Sequence, residues 1–214
     1  MKILLSITLA ALPAFAHGQL SSGEYNGLLL AVDHATGIIT GYYENHAGAD
    51  PESGEPMFSC IFYLRGDIAG EPPYAVTTWY PGETDPNQVI AGTLAIAPPE
   101  SEPEVTLKLA DEHGGCGNVD HFAEDSGAFF PLGGAGDWRE IRIVAKKACL
   151  HGEPSDSNEL DVCLAAGEPV QVLESRSGWV RILSPVEADA ATQMWLKENV
   201  LHPAMPPETD TDPS

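Results

Sequence analysis

Apolar and polar residues alternate along this chain mostly with a period of two, and the alternating stretches are short and closely spaced. Residues 26–33 (NGLLLAVD) and 36–43 (TGIITGYY) flank the turn-rich D-H-A-T-G and predict a hairpin. Further strands are predicted over 57–64 (MFSCIFYL), 74–80 (YAVTTWY), 89–97 (VIAGTLAIA) and 104–109 (EVTLKL). In the first of these Phe58, Cys60, Phe62 and Leu64 share one face. In the last, Val105, Leu107 and Leu109 alternate with Thr106 and Lys108. Helix-period patterning is scarce. The fold class that follows is all-β: an N-terminal antiparallel meander barrel or sandwich, because consecutive strands usually pair.

The stretches between these runs are turn-forming. Residues 45–56 (NHAGADPESGEP) and 97–103 (APPESEP) carry Gly, Pro, Ser and acids with little to bury, and predict surface loops. Residues 204–214 (AMPPETDTDPS) are acidic and proline-rich and predict a disordered tail. Charge then sharpens the division of the chain. The full sequence has a net charge of −22. Residues 17–138 carry two basic side chains, Arg65 and Lys108, against nineteen acidic ones, whereas residues 139–203 carry seven against ten. That step predicts an acidic first domain over 17–138 and a second over 139–203. So acidic a chain repels phosphate backbones, so nucleic acid is not an expected partner. A basic protein is a natural one.

The N-terminus, MKILLSITLAALPAFA, places Lys2 before an apolar run and ends on Ala14-Phe15-Ala16, the small-x-small pattern of a signal-peptidase site. Residues 1–16 are therefore expected to be a removable leader, since the run is roughly half the length of a membrane span. No other stretch predicts a span, and the expected location is periplasmic or secreted. In that setting the four cysteines, Cys60, Cys116, Cys149 and Cys163, predict two disulfides. Three pairings exist, and spacing alone leaves them open. The domain division favours Cys60 with Cys116 and Cys149 with Cys163.

Several features of residues 139–202 occur together: the opening strand REIRIVAKKACLH, the loop GEPSDSNEL, the strand and tight turn VCLAAGEPVQVLE, then SGWVRI with Trp179, and MWLKENVL to close. In this order they resemble a bacterial SH3-like domain of the kind appended to secreted and cell-wall proteins. The resemblance implies a small barrel in which Gly167 and Glu168 turn the chain and Val170 and Val172 face the core. It also implies peptidoglycan peptides as a ligand class; Trp179 is a candidate partner contact, with core or rim packing the alternative for both Trp179 and Trp195. Two departures stand out: the cysteines in the first two strands, and the long insertion SPVEADAATQ after Leu183. The strand order of the first domain is similar, by pattern, to that of calycin-like barrels.

Candidate chemistry is sparse. His113, Cys116, Asp120 and His121 fall within nine residues of a Gly-rich stretch, but H-x2-C-x4-H matches no usual zinc spacing, and Cys116 is expected to be bridged. A disulfide-anchored turn bearing exposed histidines is the expectation, with no metal and no cofactor. The sequence contains neither G-x-S-x-G nor S-x-x-K, and no P-loop or dinucleotide fingerprint. The segment Ser126-Gly127-Ala128-Phe129-Phe130 resembles the S-G-x-x-Y loop of periplasmic lysozyme inhibitors, with Phe130 where that family has tyrosine. It makes Ser126, Gly127 and Phe130 candidate partner contacts. The expected function is thus a non-enzymatic binding protein of the bacterial envelope, recognising peptidoglycan or an envelope or secreted protein. The alternative is an inhibitor or immunity protein against a secreted basic hydrolase such as lysozyme. Export is expected to leave His17 as the first residue, because Ala14 and Ala16 fit the small pockets of the peptidase. Intact mass of the exported protein reads this, and a secreted chain still carrying Leu12 would overturn it.

Overall fold

A computed structural model describes residues 20–98, 101–183 and 193–207. The leader at 1–16 and all of the insertion SPVEADAATQ except Gln193 lie outside the described residues. Among the described residues fifteen strands form two antiparallel sheets, and no strand is shared between them. The first sheet holds β1 (Gly23–Tyr25), β2 (Leu28–Asp33), β3 (Ile38–Ala47), β4 (Phe58–Asp67), β5 (Tyr74–Trp79), β6 (Ile90–Ile96), β7 (Glu104–Leu109), β8 (Ala128–Pro131) and β9 (Gly134–Ala135). Its order, β8-β7-β6-β5-β4-β3-β2-β1-β9, is the predicted meander, curled into a half-barrel. The curl is closed by two residues. Leu132 N–H donates to Pro103 at one edge, and Gly133 N–H donates to Glu24 at the other.

Inside the curl the period-two pattern is realised directly. Leu28, Leu30, Tyr43, Cys60, Phe62, Leu64, Leu94, Leu107 and Phe130 form one core. Tyr43 stacks on Phe62 at 5.1 Å between centroids, and Phe122 meets both edge-on. Each such aromatic, fully buried, contributes about 2–3 kcal/mol. Phe58, the first member of the predicted face, lies beyond the end of this core and is exposed.

The second sheet is built from β10 (Glu140–Ile143), β11 (Ala148–His151), β12 (Glu159–Leu164), β13 (Pro169–Arg176), β14 (Trp179–Leu183) and β15 (Gln193–Lys197), in the order β10-β13-β14-β15-β11-β12. Val170 and Val172 face its core with Leu150, Leu164, Val180, Ile182 and Leu196. Gly167 takes a φ of 92° at the turn before β13, a conformation that glycine adopts without a Cβ penalty. Both disulfides pair as the domain division favoured. Cys60 bonds Cys116, and Cys149 bonds Cys163, its direct cross-strand neighbour.

A third core joins the two sheets. Leu28–Asp33 is apolar at nearly every position because both of its faces are covered. Ala31, Tyr42, Tyr63 and Trp79 point out of the curl and pack against Trp138, Ile141, Ile143, Leu173 and Ala204. Trp138 Nε1 donates to the Leu30 carbonyl at 2.6 Å, and its ring lies so close over Gly136 that a Cβ there would sit 2.1 Å from it. Residues 204–207, at the start of the predicted tail, run along this face. Ala204 is buried, and its carbonyl accepts from Arg65 at 2.8 Å. Residues 208–214 lie outside the described residues. No helix among the described residues is long and apolar enough to cross a membrane.

With a core of this kind between them, the two sheets are expected to unfold in a single calorimetric transition. The Tyr63 hydroxyl donates to the Ile141 carbonyl inside the joint, so Tyr63→Phe should cost about 1–3 kcal/mol while keeping one transition. Two separate transitions in the native chain would contradict the shared core.

A candidate ligand site on the outer face of the second sheet

The residues that could meet a ligand sit on the face of the second sheet turned away from its core. Arg176 and Trp179 flank a two-residue turn in which Ser177 and Gly178 take φ values of 51° and 80°. Positive φ at both positions is the twist-matched hairpin geometry, and Gly178 makes it cheap. The turn places Trp179 at the head of β14, opposite Lys197 of β15. Val180 and Ile182 then point inward, leaving Trp179 and Arg181 on the outside, with Trp179 half-buried.

Trp179 is held on two sides. The His151 ring meets it edge-on at 4.7 Å, and the Lys197 ammonium lies 5.6 Å from its ring centroid. His151 is itself buried, donates from Nδ1 to the Ser155 carbonyl at 3.0 Å, and keeps Nε2 3.9 Å from Glu159. Lys197 pairs with Asp156 at 2.5 Å, and the contact holds the exposed Asp156 carboxyl below its ordinary range. Asp156, Gly178, Trp179, Lys197, Glu198 and Asn199 line an open depression of 430 Å³. An aromatic face, one ammonium and two carboxylates thus converge on a shelf that can take a small zwitterionic or peptide-like ligand. Trp179 was legible from the sequence. Lys197 and Asp156 were not, although Lys197 follows Trp195 by two positions and must share its face.

The other candidates disperse. Phe130 is only 3% exposed and packs against Tyr43 and Phe122, so it is a core residue and presents no ring to a partner. Gly127 is buried in a turn at φ 65°, Ser126 is exposed, and the phenylalanine facing outward there is Phe129. The Asp111–Phe122 stretch brings no ligand set together: no group of three metal-binding side chains occurs among the described residues. Cys116 is bridged, Asp120 accepts from Tyr43 and Asn45, and His121 is exposed beside Glu124. His113 departs from the expectation of exposed histidines. It is 4% exposed, stacks on Phe62 at 5.2 Å and shares a hydrogen bond with Thr78 at 2.8 Å. The Cys60–Cys116 bridge pulls the turn inward and carries the ring into the end of the core.

No family model matches the chain, and neither the curated proteins nor the solved structures yield a match.

Burial pushes the His113 imidazole down to about 4, so it is neutral in the folded protein across the mildly acidic range. The unfolded chain takes up its proton near pH 6.5, and the folded chain only near 4. Stability from this group is therefore complete above pH 6.5 and is lost as pH falls through that window, by up to about 3 kcal/mol. In urea titrations between pH 7 and 4, His113→Gln should flatten the decline relative to the native chain. Parallel declines in the two would place the acid sensitivity elsewhere.

Proposed function

We propose that this is an exported, non-enzymatic binding protein of the bacterial envelope, and that its second, SH3-like unit takes peptidoglycan peptides on the Trp179 shelf. The observation that carries this reading is the shelf itself. A half-exposed indole is fixed by His151 and lies between the charges of Lys197, Asp156 and Glu198. A cell-wall stem peptide offers matching groups: amines for the carboxylates, a carboxylate for the ammonium, and aliphatic carbon for the ring. Two disulfides and a leader-like N-terminus support an oxidising compartment. Joined through a buried core, the acidic half-barrel supplies a rigid base for the shelf rather than a second, freely moving unit.

The alternative, inhibition of a basic secreted hydrolase through the Ser126–Phe130 segment, loses its main contact residue, since Phe130 fills the core. For the shelf, binding isotherms on purified peptidoglycan and on soluble stem peptides are the direct measurement. Trp179→Ala should weaken binding at least about tenfold, or 1.4 kcal/mol, while the melting temperature shows that the fold survives. Equal affinity for the native and Trp179→Ala proteins would remove the shelf from the binding site.

A further inference from the structure

The hairpin formed by β3 and β4 is longer than the sheet that contains it. Pairing of β3 with β2 ends at Tyr43, and pairing of β4 with β5 ends at Tyr63. Beyond those points β3 and β4 pair with each other, through Glu44↔Ile61, Asn45↔Cys60, His46↔Ser59 and Ala47↔Phe58, and Glu44 N–H also donates to the Gly27 carbonyl at 3.4 Å. Ile61 and Cys60 are still covered by the two cores, so the ladder stands clear by its last two pairs, roughly 7 Å at 3.3 Å each, before its loop begins. The expected loop at 45–56 therefore starts only at Gly48, because residues 45–47 are strand. Most residues from 44 to 59 are exposed, with Ala47 and Asp50 more covered than the rest.

A two-stranded ribbon in water is marginal by itself. This one is braced at its base and ordered at its tip. The Cys60–Cys116 disulfide and the hydrogen bond from Asn45 to Asp120 pin its root. His46 crosses the ladder to Ser59 Oγ at 2.9 Å. At the tip Asp50 Oδ1 accepts from the backbone of Glu52 and Ser53, and Asp50 N–H donates to Glu55 at 2.8 Å. The bonds from Ser53 and Glu52 hold the Asp50 carboxyl below its ordinary range, and so keep it charged.

What this ordered arm displays is distinctive. Met57 and Phe58, 56% and 37% exposed, are two of the four large hydrophobic side chains exposed among the described residues, and they are adjacent. The same hairpin carries Glu44, Asp50, Glu52 and Glu55, with no lysine or arginine between residues 44 and 58. Two exposed apolar side chains on an ordered acidic hairpin match the make-up of an interface core with an acidic rim. Like charge, −22 on each copy, disfavours a second copy of this chain as the occupant and favours a basic protein.

We propose that the β3–β4 hairpin is a docking arm for a basic protein partner, which receives Met57 and Phe58 in an apolar pocket and meets the surrounding carboxylates with lysine or arginine. This surface lies on the first sheet and does not depend on the reading of the Trp179 shelf. The probe is the cation-exchange-retained fraction of envelope and culture-medium proteins from the producing organism, passed over the immobilised mature chain at low salt. The expected result is a basic protein that, once purified, binds the native chain with an affinity falling steeply toward 0.5 M salt. Its affinity should drop at least about tenfold for the double variant Met57→Ser/Phe58→Ser and stay the same for Trp179→Ala. Hydrogen exchange should slow in residues 44–61 on binding. The substituted side chains are exposed, so the variant's melting temperature should match that of the native chain. The proposal falls if no protein of that fraction is retained, or if the double variant binds as tightly as the native chain.

Discussion

Strand β10 gives its backbone to both halves of the molecule. One edge pairs with β13 of the second sheet. At the other edge Ile141 N–H donates to Thr40 Oγ1 at 2.8 Å, and the Ile141 carbonyl accepts from the Tyr63 hydroxyl. Those two hydroxyls stand on the outer face of the first sheet. An edge strand would normally expose a row of unpaired groups; here side chains satisfy them in a dry joint, where leaving either unsatisfied would cost about 1–3 kcal/mol. Trp138 and Ile141 fill the same joint, and Arg142 extends it by donating from Nε and Nη2 to the His202 carbonyl. The orientation of every element of the second sheet relative to the first depends on this contact.

Two consequences follow for function. The joint consumes the outer face of β2–β5 near Ala31, Tyr42, Tyr63 and Trp79, which removes the middle of that face from any binding role. What remains available lies at opposite functional extremes: the compact, mixed-charge shelf around Trp179, and the long acidic arm that ends in Met57 and Phe58. Each is stiffened by a disulfide in its own sheet, Cys149–Cys163 beside the strands of the shelf and Cys60–Cys116 at the root of the arm. Rigid presentation lowers the ordering cost of binding, and both surfaces share it.

Much of this architecture was legible in residue order. β7 was readable to the residue because Val105, Leu107 and Leu109 alternate cleanly between core and solvent. β1 and β9 were not, since GEY and GA carry no pattern and become strands only through their pairing with each other and with β2. The projecting part of β3 was missed for a related reason. Glu44, Asn45 and His46 are polar, and their extended conformation comes from the opposite strand and the disulfide below, not from burial. His113 was misplaced because a histidine in a Gly-rich turn reads as exposed until the bridge through Cys116 fixes which way the turn faces.

The sequence by itself determined the all-β class, the meander and the inward faces of the principal strands, all of which follow from alternation and turn chemistry. For the disulfides, where spacing left three pairings open, the step in charge favoured the partners that the structure shows. Only the tertiary structure decided which outward-facing residues are truly outside. Ala31, Tyr63 and Trp79 on one side, and Trp179 on the other, look alike in a period-two pattern, because alternation reports that a strand has two faces and not what covers the second. That depends on where a strand more than 75 residues distant, anchored at Ile141, lays its open edge across Tyr63.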